Sequence, residues 1–302
     1  MHGSAQVVTI AHFSDAHALR LTGAWPLWFF NKRIAGGANL LLKRRNKHPI
    51  RLFEALVEDL NRVRPDQVVV TGDVTNLSLD SEFEAARGLL DRITAGALSV
   101  TVIPGNHDAY VWSAFLRRSF ERWMAPYATG DGARQGSNPV WPLVRVRGPV
   151  AIVGISTARP SPVPFADGRV GARQLAAVEE ALGRLGSEGK FRVVLIHHPP
   201  LDNRHVWLRG LRDRKALQEV LARVGAELVL HGHEHRDLRS EVQGPRGPIP
   251  VIGVGSATYD DPRPERRARY NLYRIDPSSG RFEVESRVHD AASGEFMAAK
   301  AT

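Results

Sequence analysis

Short β-branched runs alternate with amphipathic stretches along most of this 302-residue chain, and five of the runs are followed by residues of metal-ligand type. Gln6–Phe13, Gln67–Thr71, Leu98–Ile103, Leu143–Val146, Val150–Ser156, Phe191–His197 and Glu227–His231 read as strands. Apolar residues at helical spacing place helices over Ile50–Val63, Ser81–Ile93, Trp112–Trp123, Ala172–Leu185 and Arg214–Val224. The remainder (Leu238–Val242, Ile249–Val254, Tyr270–Ile275, Arg281–Arg287) is β-rich with Pro/Gly turns. Alternating strands and helices imply a helix-covered sheet, and the β-rich tail suggests a second sheet against the first. Thr129–Pro139 and Arg159–Gly171 read as surface loops rather than domain linkers, so a single domain is expected.

The chemistry-bearing residues sit where these strands end. Asp15-Ala16-His17 follows the first strand, Gly72-Asp73 the second and Gly105-Asn106-His107-Asp108 the third. His197-His198-Pro199-Pro200 ends the Phe191 strand, and His231-Gly232-His233-Glu234-His235 comes last. In an extended segment residues two apart face the same side, so a carboxylate and an imidazole, or two imidazoles, can converge on one point. Glycines at 72, 105 and 232 permit unusual φ values and close approach. Strand-end loops of an open α/β sheet are where ligands bind. Any one fragment is commonly structural; five in order at five strand ends point to a metal site.

In this order the fragments DAH, GD, GNHD, H and GHEH resemble the calcineurin-like metallophosphoesterases, over residues 7 to about 260. The resemblance implies a four-layered α/β/β/α sandwich in one domain, with two metals at one edge of two sheets. It implies that Asp15, His17 and His235 hold the first metal and Asn106, His197 and His233 the second, with Asp73 bridging them. His107 would give a hydrogen bond or proton to the leaving oxygen, its ring oriented by Asp108. His198 supports the loop, and His231 is left between an outer-shell role and none. The purple acid phosphatase pattern carries a Tyr three residues after the bridging Asp; Asn76 stands there, which argues against a tyrosinate–iron(III) site.

Nitrogen and oxygen ligands suit two divalent ions of Mn, Fe, Zn or Co, and the absence of cysteine removes thiolate sites, disulfides and cysteine nucleophiles. Two such ions can activate a water and clamp phosphoryl oxygens, which makes the expected enzyme a hydrolase of a phosphodiester or phosphoanhydride bond acting through a metal-bridging hydroxide.

Substrate choice rests on the insertions. The net charge is +9, and Arg20, Lys32, Arg33, Lys43, Arg44, Arg45, Lys47 and Arg51 account for all but one of it, with no acid between Asp15 and Glu54. The segment 22–48 also carries Trp25, Trp28, Phe29 and Phe30. It is either a hairpin capping the core or a basic, apolar lid toward anionic lipid or an acylated substrate. The lid reading, with Arg204, Trp207, Leu208, Arg209 and Leu211 as the opposite wall, resembles the hydrophobic entrances of family members that cleave UDP-2,3-diacylglucosamine, and that resemblance implies a lipid-linked nucleotide substrate. The alternative is a soluble cyclic-nucleotide or general phosphodiesterase; a metal-binding scaffold would have lost a ligand, and none is lost. The expected partner is a small anionic phosphoester, with peripheral contact to an anionic membrane left open. No long basic groove with stacking aromatics favours nucleic acid. Neither a secretory signal nor a membrane span is read, which places the chain in the cytoplasm. The arginine-rich stretch Arg263–Arg269 reads as a solvated turn.

Overall fold

The computed structural model describes residues 7–19, 47–133, 140–202 and 206–299. One six-stranded sheet has the order β12-β11-β10-β1-β2-β3. It is built from β1 (Val8–Phe13), β2 (Gln67–Val70), β3 (Val100–Val102), β10 (Arg269–Asp276), β11 (Arg281–His289) and β12 (Phe296–Ala298). The other has the order β4-β5-β6-β7-β9-β8. Its strands are β4 (Leu143–Arg147), β5 (Val150–Ile155), β6 (Phe191–Ile196), β7 (Leu228–His231), β8 (Leu238–Gly244) and β9 (Gly247–Gly253). β1, β2 and β3 run parallel, as do β5, β6, β7 and β9.

The period of two in β1 explains the layering. Val8 and Ile10 enter a layer shared with Val193, Leu195, Leu228, Leu230 and Tyr273, between the sheets. Ala11 and Phe13 turn the other way, into a layer with the helix Ile50–Val63. That helix presents Leu52, Phe53, Leu56, Val57 and Leu60, three or four residues apart, and Phe13 meets Phe53 edge-on at 5.8 Å between centroids. Fully burying one such side chain contributes about 1.5–3 kcal/mol. On the far side Val153, Val194 and Val229 pack against Val178, Leu182, Leu217 and Leu221 of the helices Ala172–Ser187 and Arg214–Val224. Three apolar layers between two sheets and two sets of helices make the expected α/β/β/α sandwich. The predominantly apolar character of β5, β6 and β7 follows from their burial on both faces.

Some local expectations are corrected. The tail does not build a sheet of its own: the β8–β9 hairpin extends one sheet, while β10, β11 and β12 complete the other. The helix expected over Trp112–Trp123 is two helices, Trp112–Leu116 and Ser119–Ala128, broken where Arg118 takes φ 52°. The 159–171 stretch is not a plain surface loop, since Asp167 within it is fully buried and Gly168 leaves no room for a side chain against His198. Of the insertion 22–48 only Lys47 and His48 fall among the described residues, so neither reading of it is settled.

Candidate metal centre

The ends of β1, β2 and β3 are tied together by backbone hydrogen bonds. Asp15 N–H donates to the Gly72 carbonyl at 3.0 Å, and His17 N–H to the Asp73 carbonyl at 2.9 Å. Gly105 lies so close to Asp73 that a Cβ there would stand 2.1 Å from Asp73 Oδ1. The second sheet reaches the same point through Gly232, where a Cβ would stand 1.9 Å from Ser14 Oγ and 2.7 Å from Asp15 Oδ2. Only glycine permits these approaches. Asp15, His17, Asp73, His233 and His235 all hold positive φ, between 43° and 71°, in a region that residues with side chains seldom adopt. The surrounding hydrogen bonds hold this strain where the ligand-type side chains converge.

The side chains form two groups around Asp73. In one, Asp15 Oδ1 lies 3.1 Å from His235 Nε2 and 3.9 Å from His17 Nε2, and the two imidazole Nε2 atoms are 3.3 Å apart. His17 Nδ1 donates to the Thr75 carbonyl at 3.1 Å, which leaves Nε2 as the lone-pair atom facing inward. In the other group, His197 Nε2 lies 3.1 Å from Asn106 Oδ1 and 3.4 Å from Asp73 Oδ2. His197 Nδ1 donates to the Thr71 carbonyl at 2.7 Å. The His233 ring stands 5.1 Å from that of His197, with its Nε2 donating to the Arg209 carbonyl at 2.7 Å, so Nδ1 is its remaining lone-pair atom. Thus all seven residues expected as ligands meet at one edge of the sandwich.

Electrostatics suits cations here. Burial works against ionising Asp73, but the facing His197 and His107 imidazoles outweigh it and hold the carboxyl well below the usual range. Asp15 behaves alike: burial opposes ionisation and His235 overcomes it. Asp15 Oδ1 is fully buried and accepts no hydrogen bond of acceptable geometry. A buried carboxylate oxygen left without a hydrogen, among imidazole lone pairs, is what a divalent cation satisfies. The donor set therefore fits the ions that the sequence implies.

A family model described as calcineurin-like phosphoesterase matches residues 8–237. The chain belongs to that family. Its clustered His and Asp side chains suit divalent metal ions. A cAMP/cGMP dual specificity phosphodiesterase of Mycobacterium tuberculosis is 29% identical over 209 residues, 67% of this chain. The match spans 58% of that relative's length. A dimetal phosphatase from Danio rerio shares the fold at TM-score 0.60 and 15% identity, covering 97% of this chain and 98% of its own. A purple acid phosphatase from yellow lupin seeds does so at TM-score 0.60 and 13% identity, over 98% of this chain and 53% of its own.

The surroundings of this centre amend the sequence reading in several places. His107 has Nδ1 donating to the Asn76 carbonyl at 2.6 Å and stacks on Tyr110 at 5.2 Å. Asp108 does not orient that ring. Its carboxylate accepts from Gly105 N–H at 2.9 Å and from both Thr75 N–H and Thr75 Oγ1 at 2.9 Å. An acid adjacent in sequence points away once the turn closes, and Asp108 clasps the loops after β2 and β3 instead. Asn76, in the tyrosine's place, donates to the His17 carbonyl at 2.6 Å. His198 is used up by Thr157 Oγ1 at 2.7 Å and the Ala166 carbonyl at 3.1 Å, which makes it the loop support expected. His231 Nδ1 donates to the Gly232 carbonyl at 2.9 Å, holding the turn that carries His233. His48 was missed: it stands edge-on to His17 at 4.8 Å and shares a 2.9 Å hydrogen bond with Thr258 Oγ1. No pattern in the chain connects it to the other fragments.

Three buried histidines outside the ligand set predict a pH response. Burial pushes His12 and His198 down to about 3 and His231 to about 4, from 6.5. A base whose folded pKa is lowered contributes stability above its unfolded pKa and loses it as pH falls, because the unfolded chain takes up the proton first. Folding stability should therefore decline from about pH 6.5 downward, by up to about 1.4 kcal/mol per pH unit for each histidine. His12→Asn should flatten the slope of urea unfolding free energy against pH between 6 and 4.5; an unchanged slope would mean that His12 charges freely inside the fold.

Proposed function

We propose that this phosphoesterase is dinuclear and hydrolyses a phosphodiester or phosphoanhydride bond of a small nucleotide-type substrate. Asp15, His17 and His235 would hold one ion, Asn106, His197 and His233 the other, and Asp73 would lie between them. The observation that carries this reading is the pair of inward-facing donor groups on either side of Asp73. Two divalent ions there, of Mn, Fe, Zn or Co, would supply Lewis acidity and an activated water. Two ionised carboxylates against two dications leave a positive site for a phosphate anion. His107 is the candidate proton donor: with Nδ1–H engaged by the Asn76 carbonyl, the imidazolium form of the ring would carry its second proton on Nε2, from which it would pass to the leaving oxygen. Asp108 serves by holding the His107 loop to Thr75.

The name of the mycobacterial relative makes cyclic AMP and cyclic GMP the first substrates to test. A lipid-linked nucleotide is the second reading. It is favoured by exposed Trp112, Phe115 and Leu116, just past the Tyr110 that stacks on His107, and by exposed Trp207, two residues before the Arg209 carbonyl that holds His233. A peripheral membrane contact belongs to that reading; among the described residues no helix is long and apolar enough to cross a membrane. Metal analysis should find two ions per chain, and chelation should abolish hydrolysis of bis-p-nitrophenyl phosphate, with Mn²⁺ restoring it. A fully active preparation with one ion would sink the dinuclear reading. Parallel assays on cyclic AMP and UDP-2,3-diacylglucosamine then separate the two substrate classes.

A further inference from the structure

An open cleft of about 680 Å³ runs from His48, His233 and His235 to the turn between β9 and β10. Its volume lies in the range that takes a nucleotide-sized ligand. The far wall is basic, and its charges can be sorted. Arg263 is spent on Asp261, gripped at 2.8 and 2.7 Å, and the nearly buried Arg269 is spent on Asp237 at 2.5 Å. Lys47, Arg209, Arg236 and Arg266 also line the cleft, and no carboxylate stands within ion-pair distance of them among the described residues. Against these four cations the cleft carries only Glu234 and Glu265 outside those pairs. In the sequence, no acid occurs between Asp15 and Glu54.

The wall is also built rather than incidental. Lys47 Nζ donates to Tyr259 Oη at 2.9 Å and lies 5.3 Å from that ring's centroid, while the Lys47 carbonyl accepts from Asp260 N–H at 2.8 Å. Arg269, held by Asp237 and by the carbonyl of Pro264, fixes the turn that carries Arg266. Arg266 therefore stands on a braced segment facing the metal centre. The stretch 263–269, expected to be a solvated turn, is a wall of the cleft.

We infer that this wall is a subsite for a second phosphoryl group of the substrate, separate from the one that is cleaved. This rests on the phosphoesterase reading and, within it, favours substrates with two phosphoryl groups over cyclic AMP and cyclic GMP, which carry one. A single phosphate at the metal edge makes no use of cations on the far wall. Guanidinium forks suit phosphate oxygens, and surplus positive charge in a cleft concentrates an anionic ligand.

Matched probes test it: thymidine 5′-(p-nitrophenyl phosphate) with and without a 3′-phosphate. The 3′-phosphate should raise kcat/KM by about tenfold or more, mostly through KM, as one or two charge-assisted hydrogen bonds would give. In the Lys47→Gln/Arg266→Gln double variant that advantage should largely vanish. Calorimetry with thymidine 3′,5′-bisphosphate against thymidine 5′-monophosphate supplies a readout independent of turnover. Tighter binding of the bisphosphate that the double variant loses supports the subsite, even if neither ester is hydrolysed; in that case only the substrate reading fails. Equal binding of the two nucleotides, or a preference that survives the substitutions, overturns the subsite.

Discussion

Replacing Asp73 with Ala should abolish nearly all hydrolysis while leaving a folded protein. Losing a group that merely orients a metal ligand reduces activity by about 10–100-fold. Asp73 stands with one oxygen 3.4 Å from His197 Nε2 and belongs with Asp15 and His17 to a second cluster, so one substitution disturbs both groups. The loss should therefore exceed about 100-fold, with metal content falling below two per chain. Retained folding is checked by the thermal transition of the chelated protein. The same carboxylate accepts His107 N–H at 2.7 Å, so Asp73→Asn is the sharper variant: it keeps an acceptor for that hydrogen and removes only the charge. Near wild-type turnover in either variant would mean that the donor groups are assigned wrongly.

Much of this centre was legible before folding was considered, for a physical reason. Strands buried on both faces are mostly apolar until they end, so β1, β2, β6 and β7 write their termini into the sequence as a change from mainly Val/Ile/Leu to Asp, His and Gly. The helix Ile50–Val63 was equally readable, since its apolar stripe repeats at three and four residues. What periodicity does not encode is the choice of partner. β10 pairs with β1 from some 260 residues away, and nothing in Arg269–Asp276 names β1 rather than β9 as its neighbour. His48 escaped for the same reason: its place beside His17 is fixed by Thr258, distant in sequence. The arginines of 263–269 are polar in a turn, and only the fold shows that the turn faces the metal edge.

Asp108 marks a different limit, because its role was inferred from adjacency. The family resemblance made it the partner of the next-door imidazole, whereas the geometry gives that place to the Asn76 carbonyl and sets Asp108 on Thr75 and Gly105. Burial, then the charge of Asp73, pushes this carboxyl up to about 7, and the donors around it work in the opposite direction. Its removal strands several buried donors, each at about 1–3 kcal/mol.

That division of labour separates two variants that would otherwise look alike. His107→Ala should keep both metals and lose about 10²–10⁴ in rate, the range for removing a general acid. The loss should be large for an alkoxide leaving group and small for p-nitrophenolate, which departs without a proton. Asp108→Ala acts through loop position instead: it should lower the unfolding midpoint and slow both classes of substrate by similar factors. Plotting log kcat against leaving-group pKa distinguishes them, since the His107 variant should steepen the line and the Asp108 variant should only displace it. A parallel line for His107→Ala would reduce that imidazole to positioning, through its 5.2 Å stack on Tyr110 and its edge contact with His17 at 5.0 Å. The proton for the leaving oxygen would then have to come from solvent, and the rate of the His107 variant would no longer depend on the leaving group more than the wild type does.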